Sequence, residues 1–180
     1  MPPGPDTIVF EPVVASHHAM LGAWLDEPHV RQWWGDSEEE LALIQSIAEG
    51  DDGTEGFVVR VDGEPVGYVQ SWRPARFKGT RWADEAPWMG DEPADTVGVD
   101  IFIGPADRIE RGIGTRIIRA FALTLFEKGT PRLIIDPDAA NTRAVRAYEK
   151  AGFRPYSEWI DEDGTRTLLM ELKAAEGAGA

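Results

Sequence analysis

Apolar and polar positions alternate along the chain with two periodicities, that of a β-strand and that of an α-helix. Helical spacing predicts one helix capped by Ser16, one capped by Ser37, one over 116–128 and one that starts at Asn141. Residues 73–95 have no clear period. Short apolar runs predict strands at 7–13, 57–61, 65–72, 97–103, 133–136, 153–160 and 165–172.

Turn signals indicate how these elements connect. Asp62-Gly63 and Asp163-Gly164 each separate two predicted strands, and Asp-Gly is a strong signal for a tight hairpin. Strands alternate with helices in the middle of the chain, which is typical of parallel pairing. We therefore predict a mixed α/β (α+β) fold in a single domain over 1–180, with a core at about 7–172. Its sheet is antiparallel at the ends and parallel in the middle.

Two groups of polar residues have local interpretations. Ser37 and Glu40 have the spacing of a capping box, so we expect Ser37 to cap the third helix and Glu40 to reach back to it. We interpret the three histidines, His17, His18 and His29, as surface or capping residues. No pair of them has metal-binding helical spacing with an adjacent carboxylate, and the sequence predicts no metal site.

One glycine-bearing loop joins a predicted buried strand to a predicted helix. Gly112 and Gly114 would let the backbone approach a phosphate, and the following helix N-terminus presents unpaired N–H groups and a partial positive charge. Arg108 and Arg111 add full charges beside it. The Walker pattern is absent, and a dinucleotide fingerprint would need a third glycine. Taken alone, the loop is either an anion-binding site or a turn without a ligand.

Composition narrows the class of protein. The chain carries 18 basic and 32 acidic side chains, a net charge of −14, which argues against a nucleic-acid partner. The acidic surplus suits a cationic ligand, or it simply keeps the surface soluble. No apolar run has the length of a membrane span, and the first residues lack the features of a secretory signal. We expect a cytoplasmic protein without a membrane partner.

The loop and a later helix together resemble the GNAT superfamily of acetyl-CoA-dependent N-acetyltransferases. Arg-Gly-Ile-Gly at 111–114 is similar to its pyrophosphate loop, and Asn-x-x-Ala-x-x-x-Tyr-Glu-Lys-x-Gly-Phe at 141–153 is similar to its second cofactor helix. The resemblance implies that the parallel strands 97–103 and 133–136 splay apart to admit acetyl-CoA. It also implies a set of cofactor-binding residues, namely Phe102, Ile103, Arg108, Arg111, Gly112, Ile113, Gly114, Thr115 and Asn141.

Further stretches resemble the aminoglycoside 6′-N-acetyltransferases, which are antibiotic-resistance enzymes. They are residues 29–35, residues 63–71 and the strand around Asp100; they occur in that family's order, and the similarity covers about 8–172. The resemblance implies acetyl transfer to the 6′-amine of an aminoglycoside. The substrate-side residues that we predict are Trp34, Gln70, Trp82, Trp88, Asp100, Asp136 and Asp163.

The chemistry of an aminoglycoside fits these residue types. A polycationic amino sugar needs carboxylates for its ammonium groups and aromatic faces for its rings, and the chain has 7 tryptophans, several of them interleaved with acids. Each assignment has a simpler alternative. Of the adjacent tryptophans, Trp33 is the better candidate for core packing. Gln70 could face solvent, and Asp136 and Asp163 could serve turns.

A carboxylate interrupts an apolar strand at Asp100, and burying it is costly without a task or a partner. Asp100 is our candidate base, acting on the substrate ammonium directly or through a water; the alternative is a structural carboxylate. A backbone N–H near Phe102 would stabilise the tetrahedral oxyanion. Tyr148, by the resemblance, lies near the cofactor sulfur and donates its phenolic proton to the leaving thiolate, unless it only packs. The chain has no cysteine, which excludes an acyl-cysteine intermediate, so an acyl transfer must use another nucleophile or go directly to the acceptor. We predict direct transfer.

Two rival functions stay open at this stage. One is a GNAT enzyme that acts on another amine, such as a protein N-terminus or a siderophore lysine. The other is a non-enzymatic aminoglycoside-binding protein on the same fold. The expected partner is a cationic aminosugar, and the chain is either a monomer or a homodimer.

Overall fold

The computed structural model describes residues 7–50 and 53–175. Within these residues, seven strands form one sheet in the order β1-β2-β3-β4-β5-β7-β6. The strands are β1 Ile8–Pro12, β2 Glu55–Val61, β3 Glu64–Trp72, β4 Thr96–Ile103, β5 Arg132–Ile135, β6 Arg154–Ile160 and β7 Arg166–Lys173. The helices are α1 His18–Leu25, α2 Pro28–Trp34, α3 Ser37–Glu49, α4 Arg81–Glu85, α5 Ile113–Glu127 and α6 Thr142–Ala151.

The sheet is mixed, as the turn signals predicted. The pairs β1–β2, β5–β7 and β6–β7 are antiparallel, whereas β4 and β5 are parallel. Sheet and helices together confirm the predicted α/β class. The chain divides into two compact units, one formed by residues up to Gln70 with Asp100–Ala120, the other by Ser71–Val99 with the residues from Phe121 onward.

The first unit contains β1, β2, most of β3, the second half of β4 and helices α1–α3. The β2–β3 turn has positive φ at both central residues, 51° at Asp62 and 85° at Gly63. That is the geometry of the hairpin turn that Asp-Gly favours. The buried core of this unit is formed by Val13, Leu21, Leu25, Val30, Ile44, Val58, Tyr68 and Phe102.

The second unit contains the first half of β4 and strands β5–β7. The parallel register between β4 and β5 runs from Thr96 to Gly98, and β4 continues to Ile103. In the β6–β7 turn, the Asp161 carboxylate accepts a hydrogen bond from the Thr165 N–H at 2.8 Å. The structural carboxylate of that turn is therefore Asp161 and not Asp163.

Helix α6 ends where the sequence places a glycine. Gly152 has φ of 113°, and its N–H donates to the Glu149 carbonyl, while the Phe153 N–H donates to the Tyr148 carbonyl. These two bonds form a Schellman motif, which satisfies the last carbonyls of the helix. The fully buried Phe153 then leads into β6.

The segment over 73–95 contains short elements despite its lack of period: α4 and two 3₁₀ turns, Pro74–Phe77 and Pro87–Asp91. Its end is held at Glu92, which accepts hydrogen bonds from the Arg132 guanidinium and the Tyr156 hydroxyl. Arg132 also donates to Glu171 at 2.6 Å. Burial and the neighbouring Glu92 carboxylate raise the pKa of the Tyr156 phenol, so it stays a donor.

The predicted start of three helices was wrong. Ser16 lies within the 3₁₀ turn Ala15–His17 and caps no helix, since the N-cap of α1 is His17. Asp36, not Ser37, caps α3, and its carboxylate accepts hydrogen bonds from the N–H groups of Glu38 and Glu39 at 3.0 and 3.2 Å. Ser37 instead donates to Asp26 at 2.5 Å. Helix α5 begins at Ile113, earlier than the predicted residue 116. Among the described helices, none combines the length and the apolar character needed to cross a membrane.

Candidate active site

The glycine loop lies between β4 and α5, in the first unit. Gly112 has φ of 71°, and a side chain there would meet open space, with no heavy atom within 4 Å. A Cβ on Gly114 would lie 4.0 Å from Ile103 Cγ1 as its nearest neighbour. The Arg116 N–H donates to the Gly112 carbonyl, so α5 starts directly after that glycine. The N–H groups of Ile113 and Gly114 lie in this first turn, where a backbone N–H has no carbonyl partner within the helix.

This geometry fits a ligand that carries phosphates. The unpaired N–H groups of a helix N-terminus attract anions, and the open space beside both glycines leaves the backbone accessible. Arg108 and Arg111 both lie in this loop. Arg108 is half-buried and Arg111 is exposed. Ile113 is buried and anchors the loop to the core.

Asp100 lies half-buried on β4, within the first unit. Its carboxylate accepts a hydrogen bond from the Gln70 side-chain amide at 2.7 Å, and the Gln70 carbonyl accepts one from the Tyr68 hydroxyl at 2.8 Å. The alternative in which Gln70 faces solvent is therefore wrong. Tyr68 was not among the predicted site residues, although it stands two residues before Gln70 and hence on the same face of β3.

Glu40 is a second carboxylate near Asp100. It was predicted to complete a capping box, but it lies half-buried on α3. Burial, together with repulsion from the Asp100 and Glu39 carboxylates, raises the pKa of the Glu40 carboxyl to about 7. Near neutral pH this carboxyl is therefore part protonated, which lowers the repulsion on Asp100.

The raised pKa of Glu40 predicts a pH-dependent stability. The folded protein binds this proton more tightly than the unfolded chain does, so the free energy of unfolding should fall as pH rises from 4.5 to about 7. Glu40→Gln cannot ionise. We expect it to unfold at a higher urea concentration than wild type above pH 7, and to lose that advantage below pH 4.5. Glu39→Gln, at the exposed neighbouring position, is the control; an equal gain there would contradict the assignment.

Three aromatic side chains of the first unit, Trp34, Tyr68 and Phe102, pack against one another. Trp34 meets Phe102 edge-on, with ring centroids 4.9 Å apart, and meets Tyr68 at 6.1 Å. Trp33 is 37% exposed. The expectation that Trp33 is the better core residue was therefore wrong, because the helix turns Trp34 inward and Trp33 outward.

Two histidines have structural tasks. His29 is half-buried, and its Nε2 donates to the Ile103 carbonyl at 2.9 Å, which ties α2 to the end of β4. His17 Nδ1 accepts from the Val14 N–H at 3.2 Å, so that histidine does cap a helix, the 3₁₀ turn Ala15–His17. Over the described ranges, no group of three or more His, Asp or Glu side chains could hold a metal ion.

The remaining predicted residues lie in the second unit, and two of them are on the motif of α6. Asn141 is the N-cap of α6, and its side-chain carbonyl accepts from the Ala144 N–H at 3.2 Å. Its amide NH₂ group is a separate donor. Tyr148 is buried, 9% exposed, with its ring 6.3 Å from that of Phe153.

The two predicted substrate-side aspartates of this unit differ in setting. Asp136 is half-buried and directly follows β5. Asp163 is exposed at the tip of the β6–β7 turn, next to exposed Glu162. Asp161 makes hydrogen bonds of that turn through its carboxylate and its backbone, and Asp163 lies at a turn position beside them.

Two predicted substrate-side tryptophans lie on the 73–95 segment. Trp88 packs edge-on to Trp72 with ring centroids 6.4 Å apart. Trp82 is half-buried, and the Arg81 guanidinium lies 4.6 Å from its ring centroid. One face of Trp82 is thus already covered by a cation.

A comparison with protein families identifies the family of the chain. The model of the acetyltransferase (GNAT) domain matches residues 13–160, and the chain therefore belongs to the GNAT acetyltransferase family. This finding confirms the predicted family and the predicted fold.

Among characterised relatives, an aminoglycoside N(6′)-acetyltransferase type 1 from Klebsiella pneumoniae is 28% identical over 178 residues, which cover 94% of this chain and 85% of the relative. The structure of AAC(6′)-Ib with paromomycin and acetyl-CoA matches with a TM-score of 0.80 and 26% identity, covering 97% of this chain and 100% of that one. A structure of AAC(6′)-Ib with coenzyme A and kanamycin matches with a TM-score of 0.77 and 26% identity, covering 93% and 95%.

Proposed function

We propose that this protein transfers the acetyl group of acetyl-CoA directly to the 6′-amine of aminoglycoside antibiotics. One observation carries the proposal. Asp100 is a half-buried carboxylate on β4, an otherwise apolar strand that leads into the glycine loop. It accepts a hydrogen bond from the Gln70 amide at 2.7 Å. A carboxylate in that setting can bind an ammonium group and accept its proton.

The relatives support this substrate class. The Klebsiella pneumoniae protein is named for acetylation at the 6′ nitrogen of aminoglycosides, and AAC(6′)-Ib has been solved with kanamycin and with paromomycin. The net charge of −14 supports a polycationic acceptor, which the field of the protein would attract.

Acetyl-CoA, when bound, supplies the acetyl group as a thioester. The N–H groups of Ile113, Gly114 and Thr115 hold its pyrophosphate, and the Arg108 and Arg111 guanidinium groups neutralise its charge. Asn141 donates from its amide NH₂ to the pantetheine arm. The backbone of Phe102 and Ile103, at the end of β4, lines the same acetyl-CoA site.

Proton movements are assigned to two side chains. Asp100 takes the proton of the substrate ammonium, directly or through a water, because an ammonium has no lone pair with which to attack. A backbone N–H near Phe102 donates to the oxygen that gains charge. Tyr148 gives its phenolic proton to the departing sulfur, which as a free thiol has a pKa of about 8.5.

The acceptor side combines carboxylates and aromatic rings. Asp136 and Asp163 meet further ammonium groups of the aminoglycoside, and Trp34, Trp82 and Trp88 supply faces for its rings and cations. Gln70 contributes to the acceptor site by its hydrogen bond to Asp100, which holds that carboxylate.

If Asp136 and Asp163 each bind an ammonium group, Asp136→Asn and Asp163→Asn should each weaken aminoglycoside binding by about 1.5–3 kcal/mol, the usual contribution of a hydrogen bond to a charged group. Exposed Asp163 should give the smaller loss because solvent screens its charge. Titration calorimetry with the drug and with acetyl-CoA measures both affinities.

The affinity for acetyl-CoA should hardly change in either variant. Glu162→Gln, in the same turn as Asp163, is the matched control and should bind the drug like wild type. A loss of acetyl-CoA affinity with unchanged drug affinity would refute the substrate-side assignment.

The proposed function is tested by coenzyme A release. Purified protein with acetyl-CoA is given aminoglycosides, a peptide with a free N-terminus, and a lysine-derived siderophore precursor, and the free thiol is measured. We expect release with aminoglycosides at low acceptor concentration. Release only with the peptide or the lysine acceptor would favour another GNAT activity, and drug binding without any release would favour a non-enzymatic binding protein.

Two further parts of the proposal concern the whole protein. We propose that both compact units belong to one catalytic domain, because the family model runs through both of them. A cytoplasmic location and the choice between monomer and homodimer stay predictions.

A further inference from the structure

We propose that Tyr68 is a positioning residue for the acceptor-side carboxylate: its hydroxyl fixes the amide of Gln70 so that the amide donates to Asp100. The role in turnover rests on the proposed acetyl transfer, in which Asp100 is the base.

The direction of the two hydrogen bonds carries the argument. The Tyr68 hydroxyl donates to Gln70 Oε1 at 2.8 Å, and Gln70 Nε2 donates to Asp100 Oδ2 at 2.7 Å. A carboxylate can only accept, so Gln70 must turn its NH₂ group to Asp100. The Tyr68 hydroxyl is the donor that makes this orientation the favourable one, because it occupies the carbonyl end of the same amide.

Without the hydroxyl, the two orientations of the amide would be closer in energy. In the flipped orientation Gln70 Oε1 would face the Asp100 carboxylate, and two acceptors would repel each other. Asp100 would then lose a donor that favours its charged form. Its titration would move to higher pH, so less of the charged base would be present on the acidic side of neutral pH.

Tyr68 is held rigidly enough to act in this way. Its side chain is fully buried, and its ring packs 5.5 Å from that of Phe102 and 6.1 Å from that of Trp34. Gly56 on the neighbouring strand leaves room for the hydroxyl, because a Cβ there would lie 2.6 Å from the Tyr68 oxygen. A hydroxyl inserted in this core is costly without a partner, and Gln70 is that partner.

Glu40 explains why Asp100 needs this donor. Glu40 on α3 repels the Asp100 carboxylate, and Glu39 on the same helix adds to the negative charge. The hydrogen bond that the Gln70 amide donates to Asp100 stabilises the Asp100 carboxylate and so offsets this repulsion. A donor to Asp100 favours the charged form of that carboxylate, and the Asp100 charge, after burial, is what raises the pKa of Glu40.

The test uses the free protein, so it does not depend on turnover. The carboxyl carbons of the aspartates are labelled with carbon-13, the Asp100 signal is identified by its loss in Asp100→Asn, and its titration is followed by NMR. In Tyr68→Phe, which keeps the ring, we expect the midpoint for Asp100 to rise by roughly one pH unit. Tyr156→Phe removes another side-chain-bonded tyrosine hydroxyl and should leave that midpoint in place.

A double-mutant cycle shows whether Tyr68 acts through Gln70. Gln70→Leu should raise the same midpoint, and Tyr68→Phe in that background should add little, because the amide is already gone. An unmoved midpoint in folded Tyr68→Phe, or full additivity with Gln70→Leu, would overturn the proposal. In the enzyme assay, Tyr68→Phe should move the acidic limb of the kcat profile to higher pH and lower kcat on that limb about 3- to 10-fold, the size of one neutral hydrogen bond, with the acetyl-CoA KM unchanged.

These outcomes separate the two proposals. If the wild-type protein acetylates no aminoglycoside while the NMR midpoint shifts as expected, the proposed function fails and the role of Tyr68 toward Asp100 stands. If acetylation is found and the midpoint does not move, the proposed function stands and the role of Tyr68 fails.

Discussion

Asp100→Asn should lower kcat by about 10²–10⁴, the usual contribution of a general acid or base. The substitution keeps the shape of the side chain and removes the group that accepts the proton of the substrate ammonium. Asparagine would still meet Gln70, so the strand should keep its fold. Steady-state kinetics across pH, with circular dichroism to check folding, measures the effect.

The control for this variant is Asp95→Asn. Asp95 is exposed and directly precedes the strand that carries Asp100, so the same chemical change there should leave kcat near that of wild type. A folded Asp100→Asn protein with near-normal kcat and an unshifted acidic limb would place the base elsewhere. Asp136, or a chain of waters, would then be the better candidate.

Gly114→Val should raise the acetyl-CoA KM by about 10- to 100-fold, because a charge-assisted hydrogen bond to phosphate contributes about 1.5–3 kcal/mol. The nearest protein atom to a Cβ at this position is Ile103 Cγ1 at 4.0 Å, so the added side chain fits the protein. It would instead stand where the backbone must approach the pyrophosphate. Calorimetric titration with acetyl-CoA gives the affinity directly.

Gly90→Val is the matched control for this prediction. Gly90 also has open space at its Cβ position and no positive φ, but it lies on the 73–95 segment. We expect the control to bind acetyl-CoA like wild type. Unchanged cofactor affinity in a folded Gly114→Val protein would remove the loop from the cofactor site.

Features with local causes could be predicted from the sequence. Asp62-Gly63 produced a hairpin turn because both residues adopt positive φ, and Gly152 ended α6 because a left-handed residue completes the Schellman motif. The strands were found because buried runs of Val, Ile and Leu have few alternatives.

The start of α3 was predicted wrongly because two neighbouring residues can both cap a helix. Asp36 and Ser37 are both good N-caps, and the sequence pattern favoured Ser37 because of Glu40 three residues later. In the protein Ser37 bonds to Asp26, a residue of the preceding helix connection, and Asp36 caps. Glu40 is thereby free of the cap and lies near Asp100, 60 residues away in the chain.

Long-range contacts could not be predicted from a single sequence. His29 bonds to a carbonyl 74 residues away, and the donor to Asp100 comes from a residue 30 positions earlier. Such pairs depend on strand register and helix packing, which residue spacing does not encode. The alternation of Tyr68, Gln70 and Trp72 on one face of β3 was the one available signal for the hydrogen-bond chain.

The central claim is acetyl transfer to the 6′-amine, and a matched pair of acceptors tests it most directly. Two aminoglycosides that differ only in carrying an amine or a hydroxyl at the 6′ position are each incubated with the protein and acetyl-CoA. Coenzyme A release and the position of the acetyl group are then measured by thiol assay and NMR. We predict rapid release and a 6′-N-acetyl product with the amine, and at most slow release with the hydroxyl. Equal rates with both compounds, or no acetylation of either, would contradict the account.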